Sequence, residues 1–166
     1  MDFGETDEQT MIRGMVRDFA ESILPPTIEE WDKNQIAPTE EWKQFCEETG
    51  LQGITISEDY GGMPVDDVSE AIIIEELARV DPSFSVFYGV HVGLCSKTIT
   101  LHGTDSQKEQ YLTQLSGDKI GAYSLSEAGA GTDAAALSCK AELSEDGSHY
   151  ILNGMKMWVT NGASAD

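Results

Sequence analysis

Apolar positions recur at helical spacing along the front of the chain and alternate as in strands towards its end. Met11, Ile12, Met15, Val16, Phe19 and Ile23 fall at the i, i+3, i+4 spacing of one helix face. Thr6-x-x-Gln9 precedes them as a capping box, and Pro25-Pro26 stops the run. A second helix is predicted from about Thr39, after Pro38, to Gly50, with Trp42, Phe45 and Cys46 on one face. Leu51 to Met63 reads as a loop, extended and half apolar over Leu51–Ile56, then turn chemistry over Ser57–Gly62. Asp66 or Asp67 caps a stretch carrying Val68, Ala71, Ile72, Leu77 and Ala78, with Pro82 at its end. Ile72-Ile73-Ile74 is apolar around much of that helix, which predicts a central, buried one. Ser83 can cap the next helix, Phe84 to about His102, which Gly103 stops. Thr104-x-x-Gln107 is a second capping box, leading through Tyr111, Leu112 and Leu115 to Gly117.

After Gly117 the period becomes that of strands. Ile120–Ser126 and Leu137–Leu143 read as strands, and the polar turn Ser144–Ser148 joins the second to Tyr150–Gly154 as a hairpin. A further strand is predicted over Lys156–Thr160, before Asn161-Gly162. The fold class is therefore α+β: an N-terminal all-helical domain, residues 1–118, followed by the start of an antiparallel β-domain, residues 119–166. Neither an internal repeat nor a low-complexity tract interrupts this order.

Charge narrows the range of partners. Thirty acidic residues against ten basic ones give a net charge of −20, which argues against nucleic acid and anionic membranes, since both need clustered Lys and Arg. The acid excess reads as a solvated surface that keeps the protein soluble; adaptation to high salt, where ions screen the repulsion, is the sharper reading. Cys46, Cys95 and Cys139 form no C-x-x-C pair and leave an odd count, which implies a reduced compartment. With no basic, apolar leader at Met1–Glu5 and no apolar run of bilayer length, a soluble, cytoplasmic protein is expected. His91, His102 and His149 are widely spaced and show neither a metal-ligand pattern nor a nucleophile partner, so no metal site is predicted.

Two segments depart from ordinary loop composition. In Ser126-Glu127-Ala128-Gly129-Ala130-Gly131-Thr132-Asp133, glycines let the backbone approach a ligand and hydroxyls supply donors without charge, as a phosphate cradle requires. Gly129-x-Gly131-x-x-Ala134 is also a loose dinucleotide fingerprint. That reading needs a crossover helix, for which Ala134–Leu137 leaves little room, and a plain surface turn is the third reading. In Asn153-Gly154-x-Lys156-x-Trp158-Val159-Thr160-Asn161-Gly162, an indole beside a hydroxyl can meet a flat heterocycle, or the Trp can simply fill a core.

Together the segments are more specific. Ala122–Asp133 resembles the first signature of the acyl-CoA dehydrogenases, and Asn153–Gly162 resembles the segment that follows it there at a similar interval. Gly50-Leu51, Tyr60-Gly61-Gly62, Glu75-Glu76-Leu77-Ala78 and Gly103-Thr104 fall in matching order. The resemblance implies a helical domain, a middle β-domain and a C-terminal four-helix domain, with FAD between the last two and this chain truncated before the four-helix domain. It implies that Tyr123, Leu125 and Ser126 line the flavin, that Gly131 and Thr132 face phosphate and the acyl-CoA substrate, and that Trp158, Val159 and Thr160 lie against the ring. Ala128 stands where the family usually has Pro, which makes the turn less rigid, and Thr132 keeps the hydroxyl of the usual Ser. Acyl-CoA, an electron-transfer flavoprotein and a second copy of the chain are the implied partners.

The family's reaction, α,β-dehydrogenation of acyl-CoA thioesters, uses a Glu of the C-terminal domain as base, so no catalytic residue is expected in this chain. Glu127 and Asp133 are expected on a solvated turn with nothing to raise their pKa. An ending after about four strands would leave unpaired edges and is expected of a truncated or partner-completed chain. A non-catalytic, truncated flavin- or CoA-binding or assembly module, an acyl-CoA oxidase and a flavin monooxygenase on the same scaffold are the alternatives.

Overall fold

Thr6 opens the first helix through reciprocal bonds with Gln9, whose N–H donates to the Thr6 hydroxyl while its side-chain oxygen accepts from the Thr6 N–H, both at 3.1 Å. The computed structural model describes residues 4–166. Helix α1 (Asp7–Ile23) buries Ile12, Val16, Phe19 and Ala20, whereas Met11 and Met15 stay exposed, so the packed face is narrower than the apolar stripe. Pro25-Pro26 ends α1 as expected and also begins α2 (Pro25–Asn34), which the apolar spacing does not predict. Proline suits a first helical turn, whose N–H groups lack intrahelical partners anyway. Along α2 only Trp31 is buried, with Ile28 partly so, too few positions to reveal a period.

Helix α3 (Thr39–Thr49) buries Trp42, Phe45 and Cys46 and ends on Gly50 in the left-handed region, φ 68°. The next stretch is not extended. It forms two 3-10 turns, Leu51–Gly53 and Glu58–Tyr60, and buries Leu51, Ile54 and Ile56. Gly62 is obligatory there, because a Cβ would stand 2.1 Å from the Ile56 carbonyl oxygen. Helix α4 (Asp67–Val80) is capped by Asp66, which accepts from the N–H groups of Val68 and Ser69, and it buries Ile72, Ile73 and Leu77 as predicted.

Pro82 starts α5 (Pro82–Gly89) rather than marking the gap before it, and Asp81, not Ser83, is its cap. The helix continues through a π-helical stretch, Val90–Ser96, into α6 (Lys97–His102). After the second capping box, α7 (Asp105–Gln107) runs through a π turn, Lys108–Leu112, into α8 (Thr113–Leu115). Aromatic rings of α1, α3 and α5 fill the centre: Phe45 lies 5.1 Å from Phe19 and 5.3 Å from Tyr88 by ring centroids. Edge-to-face pairs at this spacing add to their burial.

The remainder holds one antiparallel hairpin, β1 (Lys140–Leu143) with β2 (Tyr150–Asn153), in the register Lys140↔Asn153 to Leu143↔Tyr150. Among the described residues, the predicted strands over 120–126 and 156–160 do not form. A strand needs a neighbour to complete its ladder. These segments instead make scattered single bonds, such as Met157 N–H to Ser126 C=O at 2.8 Å. The α+β class stands, with a two-stranded sheet in place of the four strands read from the alternation.

Candidate functional site

The glycine loop is pinned at its neck and open at its tip. Glu127 and Ala130 exchange backbone hydrogen bonds at 3.0 and 3.1 Å, which closes a tight turn. Gly131 and Thr132 follow at the surface, and a Cβ on Gly129 or Gly131 would meet nothing within 4 Å. Packing within the chain therefore does not require these glycines. The N–H groups of Ala128, Gly129, Gly131 and Thr132 donate to nothing within the described chain, and the Ser126 and Thr132 hydroxyls make no hydrogen bond there either. A loop that spends so few of its donors internally keeps them for a ligand or for water.

Glu127 is not on a solvated turn: its side chain is only 5% exposed. One carboxylate oxygen accepts from Lys156 Nζ at 2.7 Å and from the Cys139 N–H at 3.0 Å; the other accepts from the Ser138 N–H and hydroxyl, both at 2.7 Å. The Lys156 ammonium, followed by the Ser138 donors, pulls its pKa down to about 2. Glu127 is thus an ionised strut that ties the glycine loop, the entry to β1 and the second segment together. Asp133 Oδ1 accepts from the Ala135 N–H and caps the short 3-10 turn Ala134–Ala136.

Lys156 also donates to the Leu125 carbonyl at 2.9 Å, and Met157 N–H donates to the Ser126 carbonyl at 2.8 Å. These bonds bring the two predicted segments side by side, with Leu125 and Ser126 next to the run that carries Trp158, Val159 and Thr160. Trp158 has φ 58° and is 85% exposed, so its indole fills no core here. Val159 and Thr160 are half-buried, and the Thr160 hydroxyl makes no hydrogen bond among the described residues. Asn161, at φ 65°, follows in the same left-handed region. Tyr123 lies upstream, half-buried.

The sequence pattern does not single out Lys156, Glu127, Asn161 or His91 for the site, although the structure places them at its joints. Of these, His91 carries a usable signal: an ionisable ring within a helix rich in apolar residues must find partners if it is buried. No crossover helix follows the loop. The single 3-10 turn leads straight to the hairpin, which does not fit the nicotinamide-dinucleotide reading. Among the described residues no three His, Cys, Asp or Glu side chains converge as a metal site would need.

Residues 6–118 match the family described as acyl-CoA dehydrogenase, N-terminal domain, and residues 122–166 match the acyl-CoA dehydrogenase middle domain. The short-chain specific acyl-CoA dehydrogenase of Clostridium acetobutylicum is 43% identical over 167 residues, which take in 100% of this chain and 43% of that protein. An acyl-CoA dehydrogenase from Bacillus anthracis, solved in complex with FAD, superposes with a TM-score of 0.90 at 38% identity, over 98% of this chain and 28% of that one. A chain from the structure described as the electron transferring flavoprotein of Acidaminococcus fermentans gives 0.91 at 42% identity, over 100% and 43% of the two chains. The chain therefore spans less than half the length of these relatives.

Proposed function

The chain belongs to the acyl-CoA dehydrogenase family, and from that premise we propose that its two adjoining segments hold one side of FAD in an enzyme that dehydrogenates acyl-CoA thioesters between Cα and Cβ. The observation that carries this reading is the junction itself. Ser126 and Met157 share a backbone bond at 2.8 Å, Glu127 and Lys156 an ion pair at 2.7 Å, and beside them stand an exposed indole and hydroxyls that find no partner among the described residues. A flat, polar-edged ring with an anionic tail suits that set: aromatic face, neutral donors and open glycine backbone.

In this reading Tyr123, Leu125, Ser126, Trp158, Val159 and Thr160 contact the cofactor, with Ser126 and Thr160 supplying hydroxyls to its polar edges. Gly131 and Thr132 meet phosphate, and Thr132 also meets the acyl-CoA. When bound, FAD supplies the acceptor for the hydride that leaves the β-carbon. The α-proton needs a carboxylate near the working pH, and Glu127, ionised and fully engaged, is unsuited to take it. We assign that base to residues outside positions 1–166, in the four-helix domain that the family resemblance implies, and keep residues 1–118 and 119–166 as separate units. An electron-transfer flavoprotein as electron acceptor, self-association and a cytoplasmic setting belong to the same reading. The first is supported by the Acidaminococcus likeness and the last by three free cysteines.

Titration of the purified protein with FAD, followed by flavin fluorescence, tests the reading. Saturable uptake that Trp158→Ala weakens by about tenfold is expected, in line with roughly 1–3 kcal/mol for stacking on a base-like ring. Colourless protein that takes up no FAD would defeat it.

A further inference from the structure

Gly121 is gripped on both sides. Its N–H donates to His91 Nδ1 at 3.0 Å, and its carbonyl accepts from Asn161 Nδ2 at 3.0 Å. His91 belongs to the π-helical stretch Val90–Ser96, and Asn161 to the loop that carries Trp158 and Thr160. Only Ala122 to Leu125 lie between Gly121 and Ser126. One glycine thus joins the helical part of the molecule to both candidate flavin-holding segments.

The polarity of each bond is forced. A backbone N–H can only donate, so Nδ1 is the unprotonated nitrogen and the ring proton sits on Nε2, which meets the Leu115 carbonyl at 3.1 Å. Asn161 faces two carbonyls, those of Gly121 and Phe87, each at 3.0 Å, so its NH₂ group points at both. The imidazole is fully buried and lies 4.6 Å from the Trp42 ring, whose N–H is itself fixed on the Asp118 carbonyl at 3.0 Å. Space is closed as well: a Cβ on Gly121 would lie 2.8 Å from Cys95 Sγ and 3.3 Å from His91 Nδ1. π-Helical turns are rare and concentrate at functional positions, and this one presents the ring that holds Gly121.

We propose that His91 and Asn161 are positioning residues which, acting through Gly121, set the first flavin-holding segment against the second and so fix where Ser126 and Thr160 stand. The inference rests on the FAD reading and deepens it. Three substitutions separate its parts. His91→Asn places a side-chain oxygen about where Nδ1 stood and keeps an acceptor for Gly121. His91→Gln places an amide nitrogen about where Nε2 stood and keeps only the Leu115 bond. Asn161→Gly removes the grip on the carbonyl while tolerating the left-handed backbone.

FAD titrations of the protein and these variants, with thermal melts to show that each is folded and the ¹⁵N shift of the Gly121 amide as a second readout, form the test. His91→Asn is expected to bind FAD within about twofold of wild type and to keep the Gly121 shift. His91→Gln is expected to weaken binding by about fivefold, the size of one lost positioning hydrogen bond, and to move the Gly121 shift, and Asn161→Gly, which gives up its bonds to both Gly121 and Phe87, to weaken binding by about fivefold or more. Equal weakening by the two His91 variants, or unchanged binding in His91→Gln and Asn161→Gly, overturns the inference and leaves the FAD reading standing. No uptake by the wild-type protein overturns both.

Discussion

Burial decides what His91 does with protons. Loss of water contact pulls its pKa down to about 4, against hydrogen bonds to backbone that raise it. The unfolded chain takes up the proton near the ordinary 6.5, so the folded state loses ground as pH falls from about 6.5 to about 4, and loses no more below that. Urea unfolding at pH 7 and pH 5 is expected to show a drop of about 2 kcal/mol from this residue, and His91→Asn should abolish that part of the drop. A backbone contact sets the other residue-scale prediction. Gly62→Ala forces a Cβ onto the Ile56 carbonyl at 2.1 Å, and a loss of about 3 kcal/mol, read from the urea midpoint, is expected. Ser126, Thr132, Trp158 and Thr160 stand out in the sequence because hydroxyls and an indole beside glycines are uncommon loop chemistry. Asn161 does not, and His91 shows only that a buried ring needs partners without showing which, because their meaning lies in a backbone group 30 residues from His91 and 40 from Asn161.

Helices are legible wherever apolar spacing is bounded by a cap, a proline or a glycine, as in α1, α3, α4 and the long run from α5 to α6. Helix α2 escaped because it buries one aromatic and little else. The strands over 120–126 and 156–160 were read from alternation, a local property, whereas a ladder depends on a neighbour that alternation cannot supply. Between elements, the strongest polar tie joins α1 to α4: Glu76, 2% exposed, is paired with Arg13, Arg17 and Arg79. The Arg17 guanidinium first, then Arg13 and Arg79, overcome desolvation and hold its pKa at about 2. Its contribution is present above the ordinary 4.5 and is lost as pH falls towards 2. Glu76→Gln is therefore expected to cost about 2 kcal/mol at pH 7, below the usual figure for a buried pair because Arg17 and Arg79 are nearly half exposed. The gap between variant and wild type should close in acid unfolding near pH 2.

Taken whole, the molecule has a net charge of −20, while three of its ten cations, Arg13, Arg17 and Arg79, gather on Glu76 and its neighbours Glu5, Glu21 and Glu75. Repulsion among the remaining carboxylates dominates, so the melting temperature is expected to rise by several degrees between low salt and roughly 1 M salt, where charges more than about 3 Å apart are screened. A melting curve that salt leaves unchanged would contradict this. Nor is the fold uniformly firm. All eight paired residues of β1 and β2 are exposed, so the hairpin is held by its ladder and by the turn bonds among Ser144, Asp146, Ser148 and His149 rather than by burial, and two isolated strands are marginal in water. Its amides should trade hydrogen for deuterium through local opening, long before those of Ile73 or Leu77, which exchange only when the helical core comes apart. Protease nicks at the Ser144–Ser148 turn would then leave that core intact, making the hairpin the first part of the molecule to turn over.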